Sequence, residues 1–238
     1  MANAEIVDLY PSVQDQVSAE EWEMRVNLAA AYRLVELYDM SDMTRTHISA
    51  RVPGEDTFLL NPYGLMFSEI TASSLIKVDQ DGNEINNAGP YKINPAGFTI
   101  HSAVHGHSHE FACVLHTHSE AGMALSAMDC GLLPISQHSM RFYNRISYHD
   151  YEGIALDLDE RERLINDLGT TQSMILRNHG FLTAGRTVAE AFSLVFYLEK
   201  CAKSQIQAMS AVGIEGLVMP SPEVCEHTAK QFERNPNF

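Results

Sequence analysis

Three histidines combine the residue type and the spacing of a metal site. His116 and His118 follow the apolar run 111–115 and lie two positions apart, so on an extended chain both side chains leave the same face at the end of a buried strand. His179 follows a second apolar run and precedes Gly180, whose missing side chain permits a turn or a close backbone approach. If the two strand ends are neighbours, three imidazoles meet. Three neutral imidazoles and an open fourth position suit a divalent metal ion that acts as a Lewis acid.

A His-x-His pair also occurs in strands that bind no metal, and it is the matching context of His179 that favours a metal site. The chain contains 11 histidines, so their number alone decides nothing. His105, His107 and His109 lie near a polar connection between a predicted helix and a predicted strand. We expect these three to be surface residues.

The charge of the chain excludes several classes of partner. The 238 residues carry 31 acidic against 16 basic side chains, a formal net charge of -15, which repels nucleic-acid phosphates and anionic lipid surfaces. No apolar stretch approaches the roughly 18 residues that a membrane span needs. The four cysteines are scattered and the first residues do not resemble a secretion signal, which predicts a cytoplasmic protein. We expect a small-molecule substrate, with no nucleic-acid and no membrane partner.

The periodicity of apolar residues predicts one mixed α/β domain in which helices pack on a largely antiparallel sheet. Its core is expected at about residues 20–212, with residues 213–238 as a C-terminal tail that is loosely structured from Gly216 onward. Ser119, Asp157 with Glu160, and Thr187 with Glu190 have the sequence signatures of helix starts. Helices are predicted over 20–38, 98–106, 119–128, 157–168 and from 187 to about 209, and strands over 47–52, 57–60, 75–78, 111–115 and 173–176.

Two motifs resemble the class II aldolase and adducin head family. They are Cys-Val-Leu-His-Thr-His-Ser at 113–119 and Ile-Leu-Arg-Asn-His-Gly at 175–180, and the similarity extends over about residues 20–212. The resemblance implies a three-layer α/β/α sandwich with a central, mainly antiparallel sheet. It also implies a homotetramer with active sites at the subunit boundaries and a metal ion held by His116, His118 and His179. Zinc is the metal we expect first, and manganese or iron remains open.

The chain departs from the sugar-phosphate aldolases of that family at their acid/base. The family's acidic residue lies 19 positions before the first metal histidine, and that position is Gly97 here. Pro95 and Ala96 stand where those aldolases place small hydroxyl residues that bind phosphate, and residues 46–49 replace their early phosphate loop. The resemblance leaves His101 and His138 as candidate catalytic acid/base residues, while His101 is equally compatible with an outer-shell or purely structural role.

These features predict a metal-dependent carbon–carbon lyase, either a decarboxylase or an aldolase, acting on a small non-phosphorylated oxo or aromatic acid through an enolate-like intermediate. Loss of the acid at Gly97 favours decarboxylation, because release of carbon dioxide requires no base to deprotonate a hydroxyl. One alternative is a non-haem metal oxygenase on the same scaffold. Another is an adducin-like, non-catalytic assembly module, although such a module has no need of an open metal site.

Overall fold

The computed structural model describes residues 10–154 and 159–234. Its centre is one eight-stranded sheet with the strand order β4-β3-β2-β1-β5-β8-β7-β6, in which the β6–β7 pair is parallel and the other pairs are antiparallel. The strands are β1 (His47–Arg51), β2 (Phe58–Leu60), β3 (Ile76–Val78), β4 (Glu84–Asn86), β5 (Cys113–Thr117), β6 (Ile146–His149), β7 (Ser173–Leu176) and β8 (Gly180–Gly185).

Within the described residues, seven α-helices accompany the sheet. They are α1 (Ala19–Leu37), α2 (Pro95–His107), α3 (Glu120–Ser126), α4 (Gln137–Met140), α5 (Glu160–Leu168), α6 (Val188–Val212) and α7 (Pro222–Arg234). None of them, within the described part of the chain, has the length and apolar character needed to cross a bilayer.

Alternation along the central strands divides the core into two layers. In β5, Cys113 and Leu115 join the core that α1, α3 and α6 cover, whereas Val114 joins the core that α2 and α5 cover. In β1, Ile48 and Ala50 belong to the first of these cores. His47, Ser49 and Arg51 alternate with them and therefore face the second core. Helices therefore cover both faces of a mainly antiparallel sheet, and the predicted three-layer α/β/α sandwich is confirmed.

The predicted helix starts at Ser119 and Thr187 are confirmed. The Ser119 hydroxyl accepts a hydrogen bond from the Gly122 amide, and the Thr187 hydroxyl accepts one from the Glu190 amide. Each satisfies an amide that the first turn of a helix leaves unpaired. Asp157, the other predicted cap, lies outside the described residues.

The region after Gly216 differs from the loosely structured tail that the sequence predicts, because it contains helix α7. Cys225 and Ala229 are buried on one side of this helix, and Arg145 pairs with Glu226 and Glu233. Pro222 occupies the first helical position of α7, where a missing amide hydrogen costs nothing. The tail is therefore held on the domain by a small apolar contact and two ion pairs.

Candidate metal centre

His116 lies within β5, between β1 and β8. Its cross-strand partners are His47 and Leu182, and its side chain points to the layer of α2 and α5 because it alternates with Leu115. The Nδ1 of His116 donates a hydrogen bond of 2.9 Å to the backbone carbonyl of Phe181. A proton held on Nδ1 leaves the lone pair of this buried, neutral imidazole on Nε2.

His118 lies two residues after His116, just beyond the end of β5. Its Nδ1 lies 3.0 Å from the Oδ2 of Asp42, which belongs to the connection between α1 and β1. A carboxylate can only accept, so His118 donates from Nδ1, and Nε2 is the nitrogen that the neutral ring offers to a metal ion. Asp42 was not identified from the sequence, because it is distant along the chain and its loop has no regular pattern.

His179 lies in the tight connection between β7 and β8, directly after Asn178, which has a left-handed backbone with φ of 55°. Gly180 follows, and a Cβ there would stand 2.2 Å from the carbonyl oxygen of Thr117. The absence of a side chain thus lets the start of β8 lie against the end of β5. The sequence correctly placed His179 at a strand end, but the strand that pairs with β5 is β8 and not the preceding β7.

The three histidines meet through their Nε2 atoms. His118 Nε2 lies 2.8 Å from His116 Nε2 and 2.8 Å from His179 Nε2, and the ligand atoms of the three all lie within 4.8 Å of one another. When both rings are neutral with the proton on Nδ1, two acceptors face each other, and a cation between them would satisfy both lone pairs. Burial, followed by the neighbouring histidines, lowers the pKa of His116 well below its usual value and that of His179 to about 4. The donor set therefore fits a metal ion better than a shared proton.

Gly97 leaves a space that a fourth imidazole fills. A Cβ at this position would lie 2.5 Å from Cδ2 of His47, so the His47 ring occupies the volume into which any side chain at position 97 would extend. The His47 and His116 ring centroids are 5.1 Å apart. The sequence predicted His47 at the start of a strand and within the altered early loop, but not as a residue of the site. Its two-residue alternation with Ser49 and Arg51 in β1 was the signal that could have placed it on the α2 face.

Behind His47 runs a buried chain of polar side chains. His47 Nδ1 lies 2.7 Å from His101 Nε2, the Ser49 hydroxyl contacts His101 Nδ1, and the same hydroxyl lies 2.7 Å from His105 Nε2. Arg51 donates to the backbone carbonyl of His105. His101 is fully buried, and among the described residues His47 is what links it to the three-histidine cluster. The prediction that His105 is a surface residue is wrong: it faces the sheet from α2 and is 1% exposed, because its helical position is four residues from His101.

The remaining predicted histidines lie elsewhere. His107 is exposed at the end of α2, and the side chain of His109 is 78% exposed, as expected. His138 is exposed on α4, with its ring 4.8 Å from the ring of Tyr197 on α6. Within one chain the structure thus groups His116, His118 and His179, links His101 to them through His47, and leaves His138 on the surface.

Known proteins share this architecture. The sequence model of the Class II Aldolase and Adducin N-terminal domain matches residues 26–206. An aldolase II superfamily protein from Pseudomonas syringae is 54% identical, with a TM-score of 0.90 over 92% of this chain and 89% of that chain. L-fuculose 1-phosphate aldolase from Glaciozyma antarctica PI12 is 28% identical, with a TM-score of 0.81 over 94% of this chain and 85% of that chain.

Adducins are also similar. Alpha-adducin from Rattus norvegicus is 39% identical over 214 residues, which cover 87% of this chain and 29% of the adducin. The family model covers most of the chain, and a relative at 54% identity is matched along nearly its whole length. The chain therefore belongs to the class II aldolase and adducin N-terminal domain family.

Proposed function

We propose that this protein is a metal-dependent carbon–carbon lyase that acts on a small, non-phosphorylated oxo or aromatic acid. The observation that carries the proposal is the convergence of the Nε2 atoms of His116, His118 and His179, two of them oriented by hydrogen bonds at Nδ1. A divalent ion bound there, with zinc as the first choice, would supply Lewis acidity that stabilises enolate-like charge on a substrate oxygen.

The start of α2 supports a substrate without phosphate. Pro95 has neither an amide hydrogen nor a hydroxyl, and the Ala96 amide already donates to the side chain of Asn94, at 3.1 Å. Donors at a helix start are what would bind a phosphate group. Two of them are therefore missing or occupied in this protein, whereas its relative from Glaciozyma antarctica is named for a sugar phosphate.

The residues of this chain divide the remaining tasks. The Phe181 carbonyl and the Asp42 carboxylate orient His116 and His118. The ring of His47 fills the space beside Gly97, where the family's acid would be, and lies next to the cluster. His101 bonds to His47 and influences its position and electronic state, without itself contacting the cluster. In a homotetramer with active sites at the subunit boundaries, the exposed His138 of α4 is available to a neighbouring subunit as the second proton-transfer candidate.

Two other functions remain as competitors. The similarity to alpha-adducin favours a non-catalytic assembly module, and three histidines also suit the iron of a non-haem oxygenase. The orientation of two imidazoles by a carbonyl and a carboxylate argues against the assembly module, because a site without metal has no use for it.

The test measures metal content and product formation on the same preparation. Purified protein is analysed for bound metal and then screened, with and without oxygen, for carbon dioxide release and for carbonyl products from small oxo and aromatic acids. We expect one ion per chain and turnover that is independent of oxygen, and loss of both in His116→Ala. His107→Ala, on the exposed end of α2, is the matched control and should behave as the unaltered protein. An absolute need for oxygen would contradict the lyase proposal, and a metal-free, inactive protein would favour the assembly module.

A further inference from the structure

The buried chain from His47 to His105 has a direction, because each of its members can donate at one end and accept at the other. The Ser49 hydroxyl has one proton and stands between two ring nitrogens, so it donates to one of them and accepts from the other. Once the tautomer of either terminal histidine is fixed, every other proton in the chain is fixed with it.

The inner end of the chain favours one direction. The backbone carbonyl of Phe111 acts to raise the pKa of the His105 ring, although among the described residues His105 Nδ1 has no hydrogen-bond partner. A carbonyl favours a proton on the nitrogen that faces it, which leaves the lone pair of His105 on Nε2. The ring stays neutral, since burial and then the nearby Arg51 cation lower the pKa of His105 to about 3.

The lone pair on His105 Nε2 determines where the protons of Ser49, His101 and His47 lie. Ser49 donates to His105 Nε2 and accepts from His101 Nδ1, so His101 presents its lone pair on Nε2. That lone pair accepts from His47 Nδ1, at 2.7 Å. The opposite direction would place a proton on His47 Nε2. The His47 ring packs against the three-histidine cluster, and a cation bound there would repel an N–H group that points toward it. Both ends of the chain thus favour the same arrangement.

We infer that Ser49, His101 and His105 are positioning residues that hold His47 as its Nδ1–H tautomer, and that the bare Nε2 of His47 accepts a hydrogen bond from a substrate hydroxyl beside the metal. The ligand so recognised is a small oxo or aromatic acid that also carries a hydroxyl group, and glycolate is its simplest hydroxyl-bearing probe. This substrate class rests on the proposed function, whereas the tautomer does not. Among the described residues, Nδ1 is the ring nitrogen of His47 that has a protein hydrogen-bond partner. The ligand atoms that lie within 4.8 Å of one another belong to His116, His118 and His179. His47 is therefore next to the cluster and is not a fourth metal ligand.

The tautomer is tested by two-bond ¹H–¹⁵N spectra of zinc-loaded, ¹⁵N-histidine-labelled protein, with His47 assigned from His47→Gln. We expect a protonated Nδ1 and a bare Nε2 at His47. Ser49→Ala interrupts the chain and should give a mixture of His47 tautomers, while Ser102→Ala, a buried serine of α2 that bonds only to helix carbonyls, should change nothing. A proton on His47 Nε2 in the unaltered protein would overturn the inference, and so would a single, unchanged tautomer in Ser49→Ala.

The ligand is tested with glycolate and acetate, which differ by one hydroxyl. Their dissociation constants are measured on zinc-loaded protein and on His47→Leu with its zinc content verified. We expect His47→Leu to weaken glycolate about 5- to 10-fold, as loss of one hydrogen bond does, and acetate by less than about 2-fold. Equal weakening of the two would refute the hydroxyl contact. If the protein holds no zinc at all, the proposed function fails, and the tautomer is then read on the metal-free protein.

Discussion

The Nδ1 of His118 and the Oδ2 of Asp42 lie 3.0 Å apart, which joins the loop after α1 to a residue of the three-histidine cluster. This carboxylate holds the imidazole in the orientation and tautomer that a metal ion requires. Loss of such a partner typically weakens metal binding by about 10- to 100-fold.

We therefore expect Asp42→Asn to weaken zinc binding by about that factor, measured by competition with a chelator of known affinity. Asn keeps the shape of the side chain but binds the ring nitrogen without the negative charge. Asp39→Asn is the matched control, since Asp39 is an exposed aspartate of the same loop and Asn tolerates its left-handed backbone. Equal affinities for Asp42→Asn and the unaltered protein would show that the carboxylate has no such role.

Gly97→Ala should destabilise the protein although alanine favours helices. The added Cβ would lie 2.5 Å from the His47 ring, which has no free space because it bonds to His101 on its other side. Overpacking of this kind costs about 1–3 kcal/mol in the free energy of unfolding. Chemical denaturation measures it.

Gly106→Ala in the same helix provides the control for Gly97→Ala. There the nearest atom to a new Cβ is the Gln80 side-chain oxygen at 3.8 Å, so helix propensity decides and stability should be unchanged or raised by up to about 1 kcal/mol. If both variants behave alike, His47 does not fill the space at Gly97 in solution.

The buried histidines should make the metal-free protein sensitive to acid. Burial lowers the pKa of His105 to about 3 and that of His101 well below its usual value, whereas both titrate near 6.5 when unfolded. As the pH falls below 6.5, the unfolded chain takes up protons that the folded chain does not, so stability is present above 6.5 and is lost progressively as the pH falls toward the folded pKa. Between pH 8 and 5 His105 accounts for about 2 kcal/mol of that loss, and His101 adds to it in the same direction.

Urea denaturation at pH 8 and pH 5, followed by the fluorescence of Trp22, the single tryptophan, measures this loss in protein treated with a chelator. His107→Gln changes an exposed histidine of the same helix and should leave the difference between the two pH values unaltered. A free energy of unfolding that is the same at both pH values would mean that His101 and His105 are accessible to protons in the folded state.

Local patterns in the sequence were sufficient to predict a mixed α/β domain with a largely antiparallel sheet and most strand and helix positions, whereas the three-layer architecture followed from the family resemblance. His116 and His118 could be predicted because they directly follow an apolar run. Ser119 and Thr187 could be predicted as helix caps because capping is a contact within one helical turn. The strands β4, β6 and β8 and the helices α4 and α7 were not predicted. The edge strand β4 and helix α7 bury few apolar side chains and therefore leave a weak periodic signal.

The surroundings of the cluster could not be predicted in the same way. His47 reaches His116 through the register of β1 on β5, and Asp42 reaches His118 across 76 positions of sequence. Such pairs depend on which strands become neighbours, and the local patterns of one sequence do not reveal that. His105 was misplaced for a related reason: its burial comes from Ser49 and Arg51 on the sheet, not from apolar neighbours in α2.

The central claim is tested most directly by measuring zinc binding to three proteins, which are the unaltered protein, His179→Ala and His138→Ala. Equilibrium dialysis followed by elemental analysis gives the number of ions per chain and the affinity. The three-histidine site predicts one ion per chain in the unaltered protein and in His138→Ala, and no stoichiometric ion in His179→Ala. Stoichiometric zinc of unchanged affinity in His179→Ala, or none in the unaltered protein, would contradict it.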